Sequence, residues 1–383
     1  FADPAQDVSC CSYGKGGRVR APVVNVGVIG SGSWGPNLIR NLVEAADANL
    51  VAVADLDEAR LKHVTTRYSE IQAATTDYRE FFEMGLDAVV ISTPPETHFA
   101  IASDCLANGL HVLVEKPLTT SSDEARKLVA LADAVDRTLM VGHTFEYNNA
   151  VRMLSDLIES GELGTIHYVD AVRVGLGLFH PSLNVVWDLA PHDISILLYL
   201  IGEQPYSVAA QGMACLQAPV EDVAYLSLRF PSNVLSHVRL SWLDPRKTRR
   251  ITVVGSQKMA VYDDMKGDEK IKIYDKSVSA YRQTDTFGEF QFDYHHGGVT
   301  IPYVPFEEPL GVEIAHFIEC IRSNGKPRSD GRSGLRVVEV IEAAQRSLRD
   351  GGRPEIMDEA AAAAGEGGAV SSRGVASGEV PWE

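Results

Sequence analysis

The chain has 383 residues, 45% hydrophobic and 23% charged, which excludes a lone small module and global disorder and suits two domains at roughly 150 residues each. Its 35 Lys and Arg against 52 Asp and Glu leave a formal charge of −17, a field that repels phosphate backbones and anionic membranes and argues against nucleic acid or a membrane as a main partner. Five cysteines (Cys10, Cys11, Cys105, Cys215, Cys320) contain no C-x-x-C pair, so zinc and disulfide chemistry are not expected and a reducing compartment is.

Residues 1–22 lack an apolar core and read as a disordered segment rather than a secretory signal. Phe1 in place of Met suggests a fragment or processed chain, so the expected cytoplasmic location leaves organellar import open. No apolar run approaches the roughly 18 residues of a bilayer span.

From residue 23 to 146, short apolar runs at 24–29, 50–54, 88–92, 111–114 and 139–142 alternate with amphipathic stretches. One such stretch carries Leu38, Ile39, Leu42, Val43 and Ala46 at helical spacing. This rhythm predicts a doubly wound parallel sheet with crossover helices. Residues 147–357 change to alternating runs at 166–174, 223–230, 234–242, 250–254 and 270–274, which predict an open, mostly antiparallel sheet. Helices are expected at 189–201, 310–323 and 334–350, and residues 358–383, rich in Ala, Gly and Ser, read as a disordered tail. The fold class is therefore α/β, a Rossmann domain followed by an α/β domain for substrate and oligomer contacts.

Gly30-Ser31-Gly32-Ser33-Trp34-Gly35 is a G-x-G-x-x-G directly after the first apolar run, and Asp55 ends the next run 20 residues beyond Gly35. Gly30 permits the tight turn, Gly32 admits a pyrophosphate, and the following helix N-terminus offers free N–H groups to its charge. A carboxylate at Asp55 accepts from an adenosine ribose and repels a 2′-phosphate, so NAD is expected over NADP. Thr93-Pro94-Pro95 and Glu115-Lys116-Pro117 end the next strands, at the edge where parallel sheets bind ligands, and both are placed beside the nicotinamide half.

Together with His98 and Asp188-Leu189-Ala190-Pro191-His192, these motifs make residues 23–357 resemble the glucose–fructose oxidoreductase, inositol dehydrogenase and rhizopine-catabolism oxidoreductase family. The resemblance implies oxidation or reduction of a sugar or cyclitol hydroxyl with a nicotinamide cofactor, with Lys116, Asp188 and His192 in the catalytic set. It also places His98 and Glu115 with the cofactor loop residues, and implies a homodimer or homotetramer built on the open sheet.

Chemistry is compatible with that set. Alcohol oxidation needs a base for the hydroxyl proton, and histidine is the side chain poised nearest neutral pH. Asp188 is expected to cap its helix as well as bind substrate, which would put His192 in the first helical turn, where the dipole disfavours the imidazolium. His143, Tyr147 and Asn148 are further substrate-contact candidates. His295-His296 reads as a polar loop rather than a metal site, and Phe287, Phe290, Phe292 and Tyr294 as packing or pairing residues.

Within the family, Trp34 to Leu38, the segment 173–188 and Trp242 to Arg246 look most like members acting on surface-polysaccharide or nucleotide sugars, with UDP-N-acetylglucosamine C3 as the best match. Arg173, Arg246, Lys247, Arg249 and Arg250 are candidate cations for a diphosphate. Inositol or simple-sugar oxidation, glycoside hydrolysis through transient oxidation by NAD, and non-catalytic sensing of a dinucleotide are the alternatives.

Overall fold

The structure is a computed structural model that describes residues 23–177, 179, 183–280 and 292–358. The expected terminal segments, except Asp358, lie outside the described residues, as do Phe287 and Phe290.

Six short strands, β1 (Val24–Ile29), β2 (Ala48–Ala54), β3 (Ala73–Thr75), β4 (Ala88–Ile91), β5 (His111–Glu115) and β6 (Leu139–Gly142), form an all-parallel sheet in the order β3-β2-β1-β4-β5-β6. Helices α1 (Gly35–Glu44), α2 (Glu58–Arg67), α3 (Pro95–Ala107) and α4 (Ser122–Ala134) make the crossovers. The central strands are almost wholly buried, as covered parallel strands must be, and α1 turns Leu38, Ile39 and Leu42 onto the sheet. The order reverses between β1 and β4, which opens a crevice at the carboxyl ends of these strands.

The second sheet has nine strands: β7 (Ile166–Leu176), β8 (Ser207–Met213), β9 (Val223–Arg229), β10 (Leu235–Ser241), β11 (Leu243–Gly255), β12 (Met259–Asp263), β13 (Ile271–Ala280), β14 (Phe292–Thr300) and β15 (Glu355–Ile356). Their order is β14-β13-β12-β11-β7-β10-β9-β8-β15, antiparallel throughout except for the β7–β10 pair. One face is covered by α5 (Asn149–Glu159), α6 (Val185–Ile201) and α8 (Gly331–Arg349). Val169 and Ala171 of β7 point into that layer, whereas Tyr168 and Tyr225 lie on the open face.

Three local differences from the sequence reading have physical causes. Helix α6 starts at Val185, three residues before Asp188, because the Asn184 side chain accepts from the Trp187 N–H and caps it there. His295 and His296 lie on β14 rather than in a loop, in register with β13, and His295 Nε2 sits 3.1 Å from Asp275 Oδ1. Finally, the division near residue 146 separates the two sheets but not the chain that covers them. Helix α7 (Pro309–Ser323) returns to the first sheet, where Leu310, Ile314, Phe317 and Ile318 pack with Val26, Leu38 and Leu42. Helix α8 faces both cores, with Val338 in the first and Val337, Val340 and Ile341 in the second.

Because Phe317 is fully buried in the parallel-sheet core, Phe317→Ala should cost about 3–5 kcal/mol of stability, read as a fall in the urea midpoint. A loss near zero would mean that α7 does not support that sheet.

Candidate active site

The crevice above the parallel sheet continues into the edge of the second sheet as one cleft of about 1990 Å³. At its first end lies the glycine loop. Gly30 has φ +95°, and a Cβ there would stand 2.8 Å from the Ser92 carbonyl, so only glycine lets the turn close on β4. A Cβ on Gly35 would lie 2.5 Å from the Gly30 oxygen, which explains the third glycine. Helix α1 has no side-chain N-cap and no acid in its first turn, so its leading N–H groups are left for an anion. These features fit a dinucleotide diphosphate.

Asp55 lines the same end of the cleft. Its Oδ2 accepts from the Ser31 N–H at 2.6 Å and hydroxyl at 2.9 Å, and its Oδ1 from the Asp57 N–H at 2.9 Å. Burial alone would raise this carboxyl, but the Asp57 and Ser31 hydrogen bonds and nearby Arg60 hold it below its ordinary value. The carboxylate is thus ionised and fixed in place.

Gly32, Ser33, Trp34, Thr93, Pro94, Pro95, Glu115 and Lys116 all line the cleft. His98 does not. It is buried in α3, with Nδ1 2.8 Å from the Pro117 carbonyl and Nε2 2.9 Å from that of Thr93, so the ring is enclosed between the two strand-end loops and donates to one of them from the nitrogen that carries its proton. Tyr147, placed with the substrate by sequence, is also turned away. Its hydroxyl lies 3.0 Å from Ser329 Oγ and its ring packs beside His316 and Arg328. Asn148 does line the cleft, although its Oδ1 caps α5 through the Ala150 N–H and its Nδ2 donates to Tyr262 at 3.4 Å.

The proposed catalytic side chains converge where the two sheets meet. Lys116 Nζ donates to the Asp188 carbonyl at 2.9 Å and stands 3.5 Å from Asp188 Oδ1, while the Trp242 indole N–H donates to Asp188 Oδ2 at 3.0 Å. His192 lies one helical turn beyond Asp188 and lines the same cleft. It is the eighth residue of α6, beyond the first-turn position expected from sequence, so the helix dipole is not what keeps it neutral. Burial does so first, and Lys116, Arg173, His143 and Arg249 add repulsion, together holding the imidazole well below its ordinary proton affinity. Its ring stands edge-on to Phe145 at 5.1 Å.

His143 is buried behind this group and does not line the cleft among the described residues, yet neither ring nitrogen has a protein partner there. Burial and Lys116 push its pKa down to about 3. Glu115 is raised to about 7 by burial, opposed by Lys116, and its Oε1 is likewise unpartnered.

Sequence reasoning missed several supporting residues. Asp193, hidden in an apolar run, holds Arg173 through contacts of 2.6 and 3.2 Å with both partners buried. Asp264 accepts from Tyr262 at 3.0 Å and lies 3.4 Å from both Arg249 and Lys270. Asp193 could have been found as a lone acid among apolar residues. Asp264, in a polar turn, carried no signal.

A glycine loop on a parallel sheet, joined by a cleft to a lysine, an aspartate and a neutral histidine, defines the class as a dinucleotide-dependent oxidoreductase. Family models agree: residues 24–143 match the oxidoreductase family with an NAD-binding Rossmann fold, and residues 151–261 match the GFO/IDH/MocA C-terminal domain. The chain belongs to that family and is an NAD-binding oxidoreductase of the kind that acts on sugar hydroxyls. It is 26% identical over 328 residues to the UDP-N-acetylglucosamine 3-dehydrogenase of Acidithiobacillus ferrooxidans, covering 82% of this chain and 94% of that one. It is also 26% identical over 340 residues to the scyllo-inositol 2-dehydrogenase (NAD(+)) of Bacillus subtilis, covering 86% and 95%. The crystal structure of GenD2 from gentamicin A biosynthesis, in complex with NAD, superposes with a TM-score of 0.73 at 25% identity, covering 88% and 97%.

Because His192 is held well below an ordinary histidine value of 6.5, its base-competent neutral form should persist to lower pH than usual. The acid limb of kcat/KM assigned to His192 should therefore fall below 6.5. A limb at or above 6.5 that disappears in His192→Gln would contradict the buried, cation-flanked setting.

Proposed function

We propose that this protein transfers a hydride between a secondary hydroxyl of a sugar or nucleotide sugar and NAD, with C3 of UDP-N-acetylglucosamine as the leading substrate. The observation that carries the reading is the convergence of Lys116, Asp188 and His192 beside the glycine-loop crevice. When bound, NAD supplies the acceptor for the hydride of the carbinol carbon. His192, neutral in the free protein, takes the hydroxyl proton as general base. Lys116 polarises the reacting oxygen, and Asp188, oriented by the Trp242 indole, holds the sugar and fixes the ammonium.

NAD is preferred over NADP in this reading because the ionised Asp55 carboxylate repels a 2′-phosphate. Relatives of both kinds, a UDP-N-acetylglucosamine dehydrogenase and an inositol dehydrogenase, are compatible with the same catalytic set. The open face of the second sheet, with Tyr168 and Tyr225 exposed, supports assembly with a second copy of the chain.

The test is NADH absorbance with UDP-N-acetylglucosamine, UDP-glucose, myo-inositol and glucose in turn. Lys116→Ala and His192→Ala should each lower kcat about 10²–10⁴-fold while NAD binding changes little. Full activity in the double variant would sink the mechanism, and tighter binding of NADP than of NAD would sink the cofactor assignment.

A further inference from the structure

Beyond the catalytic groups, the substrate end of the cleft has a wall whose charge the reaction itself does not require. Strands β7 and β11 run antiparallel, with Arg249 directly opposite Arg173. Residues opposite one another in such a pair project to the same face, and like charges there are unfavourable. The fold accommodates the pair by backing each guanidinium with its own acid, Asp193 behind Arg173 and Asp264 behind Arg249. Two residues before Arg249, Lys247 projects to that face and lines the cleft, with no ion pair to an acid among the described residues. It lies against Gly175, where a Cβ would stand 3.4 Å from the Lys247 Cα, so the partner strand leaves space beside the lysine.

The two-residue period of the strand also sorts the candidate cations. Arg173, Lys247 and Arg249 line the cleft, whereas Arg246 and Arg250 fall on the opposite face and line no part of it among the described residues. Lys270 adds a further cation at this wall, sharing Asp264 with Arg249. Asp268 and Glu115 also line the cleft, so acids there are at least as many as cations, but Lys116, Arg173, Arg249 and Lys270 each have an acid partner whereas Lys247 has none among the described residues. A lysine left without an acid, on the same face as an arginine that an aspartate holds in place, is an anion-binding arrangement.

We infer that the substrate carries an anionic group, a diphosphate or a carboxylate, that docks on Lys247 and Arg249 while its hydroxyl reaches Lys116 and His192. This rests on the hydride-transfer reading for the position of the hydroxyl, but not for the anion itself. Lys247 and Arg249 are then specificity-determining residues, and a neutral cyclitol leaves them unsatisfied. Arg173, both of whose contacts go to Asp193, fixes the wall and the Phe145 ring 4.5 Å away.

The experiment is calorimetric binding of UDP, inorganic pyrophosphate and D-glucuronate to the full chain saturated with NAD. Wild type should bind UDP and pyrophosphate if the anion is a diphosphate, or glucuronate if it is a carboxylate. Lys247→Ala and Arg249→Gln should each weaken that binding about tenfold, Arg249→Lys should restore part of it, and Arg246→Ala on the opposite face should leave it within about twofold. Failure of wild type to bind any of the three probes overturns the inference, as does equal loss in Arg246→Ala or none in Lys247→Ala. Binding that persists in His192→Ala while no sugar yields NADH would uphold the anion site and reject the hydride-transfer reading. NADH from myo-inositol with no probe bound would do the reverse.

Discussion

Lys116 stands at the end of a parallel strand, and its ammonium is held by a residue of the other sheet's helix layer. The 2.9 Å bond to the Asp188 carbonyl and the 3.5 Å approach to its carboxylate tie the cofactor crevice to the substrate wall. Everything chemical in the cleft is arranged around that tie. Asp188 is fixed from behind by Trp242, His192 follows one turn later on α6, and His98 fills the space between the Thr93 and Pro117 carbonyls beside the Lys116 loop. A charge-assisted contact that is only partly exposed is strong enough to set geometry, yet open enough for a ligand to reach it.

The parallel domain was legible because its physics is local. Buried strands write continuous apolar runs, a dinucleotide loop requires glycine at fixed spacing, and an acid must follow the second strand. The three residues proposed as catalytic were picked out through motif resemblance, and their convergence depends on a strand end meeting a helix of the other layer. What sequence could not supply was the direction of side chains beyond the motifs. His98 and Tyr147 sit among site residues along the chain, but their polar atoms are spent on carbonyls and on Ser329. The start of α6 was misplaced because two polar residues four apart, Asn184 and Asp188, both suit an N-cap, and only the backbone geometry selects the first.

The role of α7 shows a related limit. Its apolar face is evident from periodicity, but nothing in a single helix states which sheet it will cover. The hydrophobic surface of α1 and β1 requires a lid, and the chain supplies it from more than 250 residues downstream, a contact too distant for any local pattern to announce. The same return places Glu308 against Arg40 and Asn41 at the mouth of the cofactor crevice. Domain identity here follows from packing rather than from position along the chain.

Electrostatics links the cationic wall to the proposed base. His192 is neutral because it is buried among cations, and those same cations oppose the imidazolium that forms when it accepts a proton. A neutral substrate would leave that opposition intact at the moment of proton transfer. On the proposed mechanism, an anion seated on Arg249 and Lys247 would offset it, and binding of that substrate would make the histidine a better base than it is in the free protein. Under that proposal, discrimination and catalysis would draw on one set of charges, because the anionic group offsets a repulsion that arises only as the proton moves, which is the condition for raising kcat rather than merely lowering KM.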